Sequence, residues 1–273
     1  PASLVAGASG NAVLAFTMSN PLPKDGKVVV TFPAGFDLAT AAPAATSSDV
    51  DGTFVTTVVG QVVTITRQND GTDEAAGAIT DLTLSNIGNP GVSGNTGTFT
   101  ITTTDSSGAT IDTLATVPLV AITPGAISSA TITPASLVAG ASGNAVLAFT
   151  MANALPKDGK VVVTFPAGFD LATAAPAATS AAEIDGTFVT TVAGQVVTIT
   201  RQDDGADEAA GAITDLTLSN IGNPSATGAT GTFTITTTNA AGAAIDTLTT
   251  VPLVAITAGA ISSATVTPAS LVS

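Results

Sequence analysis

The chain has 273 residues, 20 of them acidic and 6 basic, for a formal net charge of −14, and it contains no Cys, His, Trp or Tyr. This excludes disulfides, thiol nucleophiles, Ser-His triads and imidazole metal sites. It also opposes direct binding to nucleic acid or anionic membrane, since both present phosphates that require Lys and Arg. No apolar run approaches the roughly 18 residues of a membrane span, so no direct membrane insertion is expected, and the first residues lack the basic and apolar regions of a signal peptide.

The chain is written almost twice. PASLVAGASGNAVLAFT runs from Pro1 and again from Pro134, KDGKVVVTFPAGFDLATAAPAATS begins at Lys24 and at Lys157, and PASLV starts a third time at Pro268. The offset is 133 residues up to Ser47 and 134 from Asp51 onward, because SSDVDG is answered by SAAEIDG. Self-similarity at a fixed period marks repeat arrays and outranks any local motif. The expected organisation is a repeat lacking its first strand over 1–123, a complete repeat over 124–257, and over 258–273 the first strand of a following repeat or a donor strand.

Taken in order, the second copy reads as strands throughout. Gly125 to Thr133 alternates, with Ala126, Ser128, Ala130 and Ile132 expected on one face and Ile127, Ser129 and Thr131 on the other. Ala145 to Met151 places Leu147, Phe149 and Met151 on one side, and Lys160 to Phe165 does so with Val161, Val163 and Phe165. Thr187 to Ala193 and Gln195 to Arg201 flank Gly194 as a hairpin. Leu216 and Leu218, then Phe233 and Ile235, then Ile245, Leu248 and Val251 mark the later strands. Each run is short, β-branched and bounded by Gly, Pro, Asn or Asp; only Asp207 to Ala212 and Ala172 to Ala178 are helix-permissive, and both are too short to exceed a turn. The expected fold class is all-β, with tandem antiparallel β-sandwiches.

The strand set ATITPASLVAGASGNAVLAFTM, KVVVTFPAGFD, GQVVTITR, DLTLSNIGNP and TGTFTITTT resembles the immunoglobulin-like β-sandwich repeats found in tandem in very long microbial surface and filament proteins. The resemblance covers the whole chain and is one of architecture, since the inter-sheet cysteine pair and core Trp of antibody domains are missing. It implies an extracellular or cell-surface location and carries no catalytic residues.

Few residues offer chemistry. The densest acidic cluster, Asn69 to Glu74 with Asp81 nearby, recurs as Asp203 to Glu208 with Asp215. Its carboxylates Asp70, Asp73, Glu74, Asp204, Asp207 and Glu208 are candidate Ca²⁺ ligands, because a hard cation takes six to eight oxygens with loose geometry. The spacing is not that of an EF-hand, and a solvated acidic turn is the competing reading. The lysines of KDGK could form isopeptide staples, or serve as exposed gatekeepers at a strand start. Otherwise no cofactor is implied.

The expected function is a non-enzymatic structural segment of an extracellular filament or stalk, with copies of itself as head-to-tail partners. The rivals are a ligand-binding adhesin and a Ca²⁺-rigidified surface-layer module. Ile261, Ala264, Val266 and Leu271 in the last segment are the candidate residues of an inter-subunit strand, added edge-on to the first repeat of a neighbour.

Overall fold

The computed structural model describes residues 3–39, 43–172 and 176–267. The chain divides into two compact units, one formed by Pro1–Ala126, Ala152–Leu155 and Thr237–Thr247, the other by Ile127–Met151, Pro156–Thr236 and Leu248–Ser273. Every element is a strand, and no helix occurs among the described residues.

The first copy of the repeat holds β1 (Ser9–Met18), β2 (Lys27–Thr31), β3 (Ala45–Thr46), β4 (Phe54–Val59), β5 (Val62–Arg67), β6 (Gly77–Gly88), β7 (Gly94–Asn95), β8 (Phe99–Thr104), β9 (Thr110–Val117) and β10 (Ala121–Ile122). They form a three-stranded sheet in the order β1-β6-β3, a five-stranded sheet β4-β5-β2-β8-β9 and the small pair β10-β7. The pairings are antiparallel. Strand alternation decides the core: Val28 and Val30 of β2, Val63 and Ile65 of β5, and Ile79, Leu82 and Leu84 of β6 join one buried cluster. Because that cluster draws on both large sheets, they pack face to face as a sandwich. Phe32, Phe36 and Phe99 close it as an edge-on triad with ring centroids 5.3–5.5 Å apart. β4 and β5 are joined through Gly60, whose φ of +58° a side chain would resist.

The second copy holds β11 (Gly125–Ala126), β12 (Ser128–Pro134), β13 (Ser142–Met151), β14 (Lys160–Thr164), β15 (Ala178–Thr179), β16 (Phe188–Ala193), β17 (Val196–Arg201), β18 (Gly211–Gly222), β19 (Gly228–Ala229), β20 (Phe233–Thr238), β21 (Ala244–Val251) and β22 (Ala255–Ile256). Its sheets run β12-β13-β18-β15, β11-β21-β20-β14-β17-β16 and β19-β22. Register repeats position by position. Ser9 faces Gly88 and Leu14 faces Leu82 as Ser142 faces Gly222 and Leu147 faces Leu216, with the same two register shifts in each pair of strands.

One sequence expectation is corrected. Strict alternation over 126–132 fails, because Ser129 takes φ of +51° and the register shifts between Ser128 and Thr131. The bulge carries one residue across, so Ile127, Ala130 and Ile132 are all buried. Asn95 and Ala229 lie in the two-residue strands β7 and β19.

Candidate functional site

The acidic turns are built around a buried arginine. Arg67, on the last position of β5, donates to the carbonyls of Leu22, Pro23 and Thr72 and to Asp51 Oδ1 at 2.8 Å. Its side chain is 2% exposed, against 50% for Asp51. Arg201 repeats this on Pro156 O, Ala206 O and Asp185 Oδ1. The cationic hub therefore gathers turn carbonyls, and those of Leu22 and Pro23 accept it alongside the Glu74 and Gly26 amides.

Around each hub the carboxylates accept from the backbone. Asp70 accepts from the Thr53 amide and hydroxyl at 2.8 and 2.6 Å, and Asp204 does the same with Thr187. Asp73 accepts from the Lys24 amide and Asp207 from the Lys157 amide, each at 2.9 Å. Glu74 pairs with Leu22 through backbone atoms alone, and burial pushes the Glu208 carboxyl up. Hydrogen bonds from Thr53 hold Asp70, from Thr187 hold Asp204, and from the Thr72 amide and hydroxyl hold Asp51 below the usual carboxylate range. Among the described residues, no three acidic side chains form a group that could hold a metal ion. Lys157 sits 3.1 Å from Asp203, both half-exposed.

The other candidate is a strand edge. Among the described residues nothing pairs with the outer edge of β1, which has β6 as its single neighbour, whereas β13 is flanked by β18 and by β12. β12 pairs with β13 antiparallel, with Thr131 opposite Ala148 and Ile132 opposite Leu147. The consequence is written in burial. Leu147, Phe149, Phe233 and Val251 are buried, while Leu14, Phe16, Phe99 and Val117 at the same places of the first copy are only partly so. Along the free edge of β1 runs an apolar cleft of about 130 Å³ lined by Leu14, Phe32, Phe99 and Val117. A more polar one continues it past Phe16, Thr17, Ile101 and Asp112.

Asp112 closes the far end of this groove. Its carboxylate accepts from the amides of Ser19 and Asn20 and from Asn20 Nδ2, at 2.9–3.1 Å, which holds it below the usual range. Its counterpart Asp246 accepts in the same way from Asn153 N and Nδ2, at 2.9 and 2.6 Å, and is fully buried. β11 runs parallel to β21 there, Gly125 beside Asp246. A Cβ on Gly125 would stand 2.1 Å from Asp246 Oδ1, so only glycine fits. The sequence reading overlooked this constellation. Its signal is the repeated Asn20 with Asp112 and Asn153 with Asp246, unremarkable until the fold joins positions more than 90 apart.

Three of the sequence-derived strand residues fall where nothing covers them. Ile261 and Val266 are 88% and 93% exposed, Ala264 is exposed, and no strand forms over 258–267. Leu271 lies outside the described residues.

No family model matches this chain, and no curated protein does. Among solved structures the chain is similar to a putative membrane-anchored protein from Corynebacterium diphtheriae, at 9% identity over 97% of this chain and 91% of that one, with a TM-score of 0.30. It is also similar to the C-terminal domain of the Streptococcus pyogenes antigen I/II-family protein AspA (10% identity, 85% and 84% covered, TM-score 0.31) and to the C-terminal domain of the Streptococcus agalactiae antigen I/II polypeptide BspA (10%, 86% and 89%, 0.30). These neighbours are bacterial surface-protein domains. At TM-scores near 0.3 the likeness carries no argument, and the all-β class of this chain rests on its own strands.

Proposed function

We propose that the chain is a non-enzymatic structural segment of an extracellular filament or stalk, assembled head-to-tail from immunoglobulin-like repeats. The observation that carries this reading is that the two copies share strand register and register shifts position by position. Two domains with one framework occupy equivalent environments in a linear assembly, whereas the halves of an enzyme take different tasks. The chemistry agrees: the acidic side chains of the turns hold backbone amides, and neither His nor Cys is present. Net negative charge keeps such a fibre dispersed.

Immunogold electron microscopy of the source cells, with an antibody raised to this chain, tests the reading. Label along thin filaments or stalks outside the cell is expected. Label confined to the cell interior, or scattered over the surface with no filament beneath it, overturns it.

A further inference from the structure

We propose that the outer edge of β4 pairs with the same edge of a second copy of this chain, antiparallel, with Thr57 opposite Thr57. The contact is side to side and does not depend on the filament reading. Among the described residues nothing pairs with that edge: β4 has β5 as its single neighbour, as β16 has β17 in the second copy. Other sheet edges are guarded. β3 and β15 are two residues long, β9 carries Asp112 and two register shifts, and β12 carries a bulge and ends on Pro134. Short length, charge, bulges and proline all discourage strand addition. By contrast β4 reads FVTTVV and β16 FVTTVA, with no charge, Pro or Gly, and each follows its hairpin partner without a register shift. Val55 and Val59 stand 49% and 79% exposed on the outer face of β4. Clefts of about 330 and 340 Å³ leave its inward side open toward Leu38 and Ala45.

The strand itself points to a second copy as the occupant. Thr53 accepts from the Gln68 amide at the start of the hairpin, so ladder alternation turns the amides and carbonyls of Phe54, Thr56 and Val58 outward. Pairing about Thr57 then joins Thr56 to Val58 through main-chain bonds, and on the exposed face it sets Val55 against Val59 on either side of the Thr57 pair. Cross-strand β-branched neighbours of this kind stabilise a ladder. Charge sets the direction. Asp51 and Asp70 lie at the Thr53 end of β4, whereas Gly60 and Gln61 at its other end are uncharged. Antiparallel pairing brings the acidic end of one chain to the neutral turn of the other, and parallel pairing would bring the acidic ends together. Both chains use the same surface, so the contact closes as a pair. A six-residue edge is small beside a standard interface, so pairing rises with concentration.

Cysteine is absent, so single thiols report the register. In this pairing the Cα atoms of the two Thr57 residues lie about 4.5 Å apart, within disulfide reach. Those of the two Val55 residues lie about 13 Å apart, beyond it. On mild oxidation the full chain carrying Thr57→Cys is expected to dimerise roughly tenfold faster than the chain carrying Val55→Cys, whereas Val55→Cys mixed with Val59→Cys should give the mixed dimer. Adding Val55→Glu with Val59→Glu to the Thr57→Cys chain sets like charges opposite one another and should slow its dimer by a similar factor. Both positions are exposed, so the glutamates leave the fold intact, which circular dichroism checks. Equal rates at 55 and 57, no Thr57→Cys dimer, or a rate indifferent to the glutamates each overturns the proposal. So does a Thr57→Cys chain that links to a Thr191→Cys chain in preference to itself, which would make β16 the occupant. Filaments without the dimer reject the pairing alone, and the dimer without filaments rejects the filament alone.

Discussion

At the residue scale, acid side chains do the work of backbone satisfaction. Asp81 illustrates it: the hydroxyls of Ser47 and Ser48 and the Ser48 and Asp49 amides all donate to it, holding its carboxyl far below the usual range. Asp51, Asp70, Asp105, Asp112 and Asp204 are lowered as well, chiefly by hydrogen bonds. A carboxylate lowered in the folded state adds stability above its unfolded value near 3.9, and that stability is lost as pH falls through the folded value. Urea midpoints should therefore be level from pH 8 to about 5 and fall below about pH 4; a midpoint unchanged down to pH 2 would remove these carboxylates from the stability account. Replacing Asp81 with Asn should flatten part of the slope. The same geometry bears on calcium. A cation at Asp70, Asp73 or Glu74 would have to displace the Thr53 and Lys24 amides or accept carboxylates that point elsewhere. Millimolar Ca²⁺ and excess chelator should give the same melting temperature, and a rise of several degrees with Ca²⁺ would show binding to the folded state.

At the element scale, the legible part of the fold was the part governed by period two. Val161, Val163 and Phe165 point inward as their alternation requires, and the two-residue turn at Gly194 is where composition places it. The bulge at Ser129 was not legible, because a serine at positive φ has no compositional mark and one residue shifts every later side chain to the other face. For the acidic turns the residue types were visible but their partners were not: Asp70 meets Thr53 and Asp73 meets Lys24, residues 17 and 49 apart, only after the strands beside them fold together. The element that most separates the copies is β12. Its presence buries Leu147 fully, while Leu14 stays partly open. Leu147→Ala should cost about 2–5 kcal/mol, as for a filled core site. Leu14→Ala should cost clearly less in dilute chain, since part of that side chain already meets water and no full cavity is left. Equal losses in the transitions assigned to the two copies by hydrogen exchange would mean that the edge of β1 is not truly open.

At the scale of the whole molecule, two domains with one core differ in how fully that core is buried, and that difference is thermodynamic. The second copy has its β13 edge paired and Phe149, Phe233 and Val251 buried; the first leaves the corresponding edge bare and Phe16, Phe99 and Val117 half-covered. Less apolar area removed from water means less stabilisation, at roughly 25 cal/mol per Å². The dilute chain should therefore unfold in two calorimetric steps, the lower one belonging to the first copy. Any ligand that binds only the folded form raises that step by mass action. A single transition in dilute chain, with equal hydrogen-exchange protection in β1 and β13, would show that the open edge costs nothing.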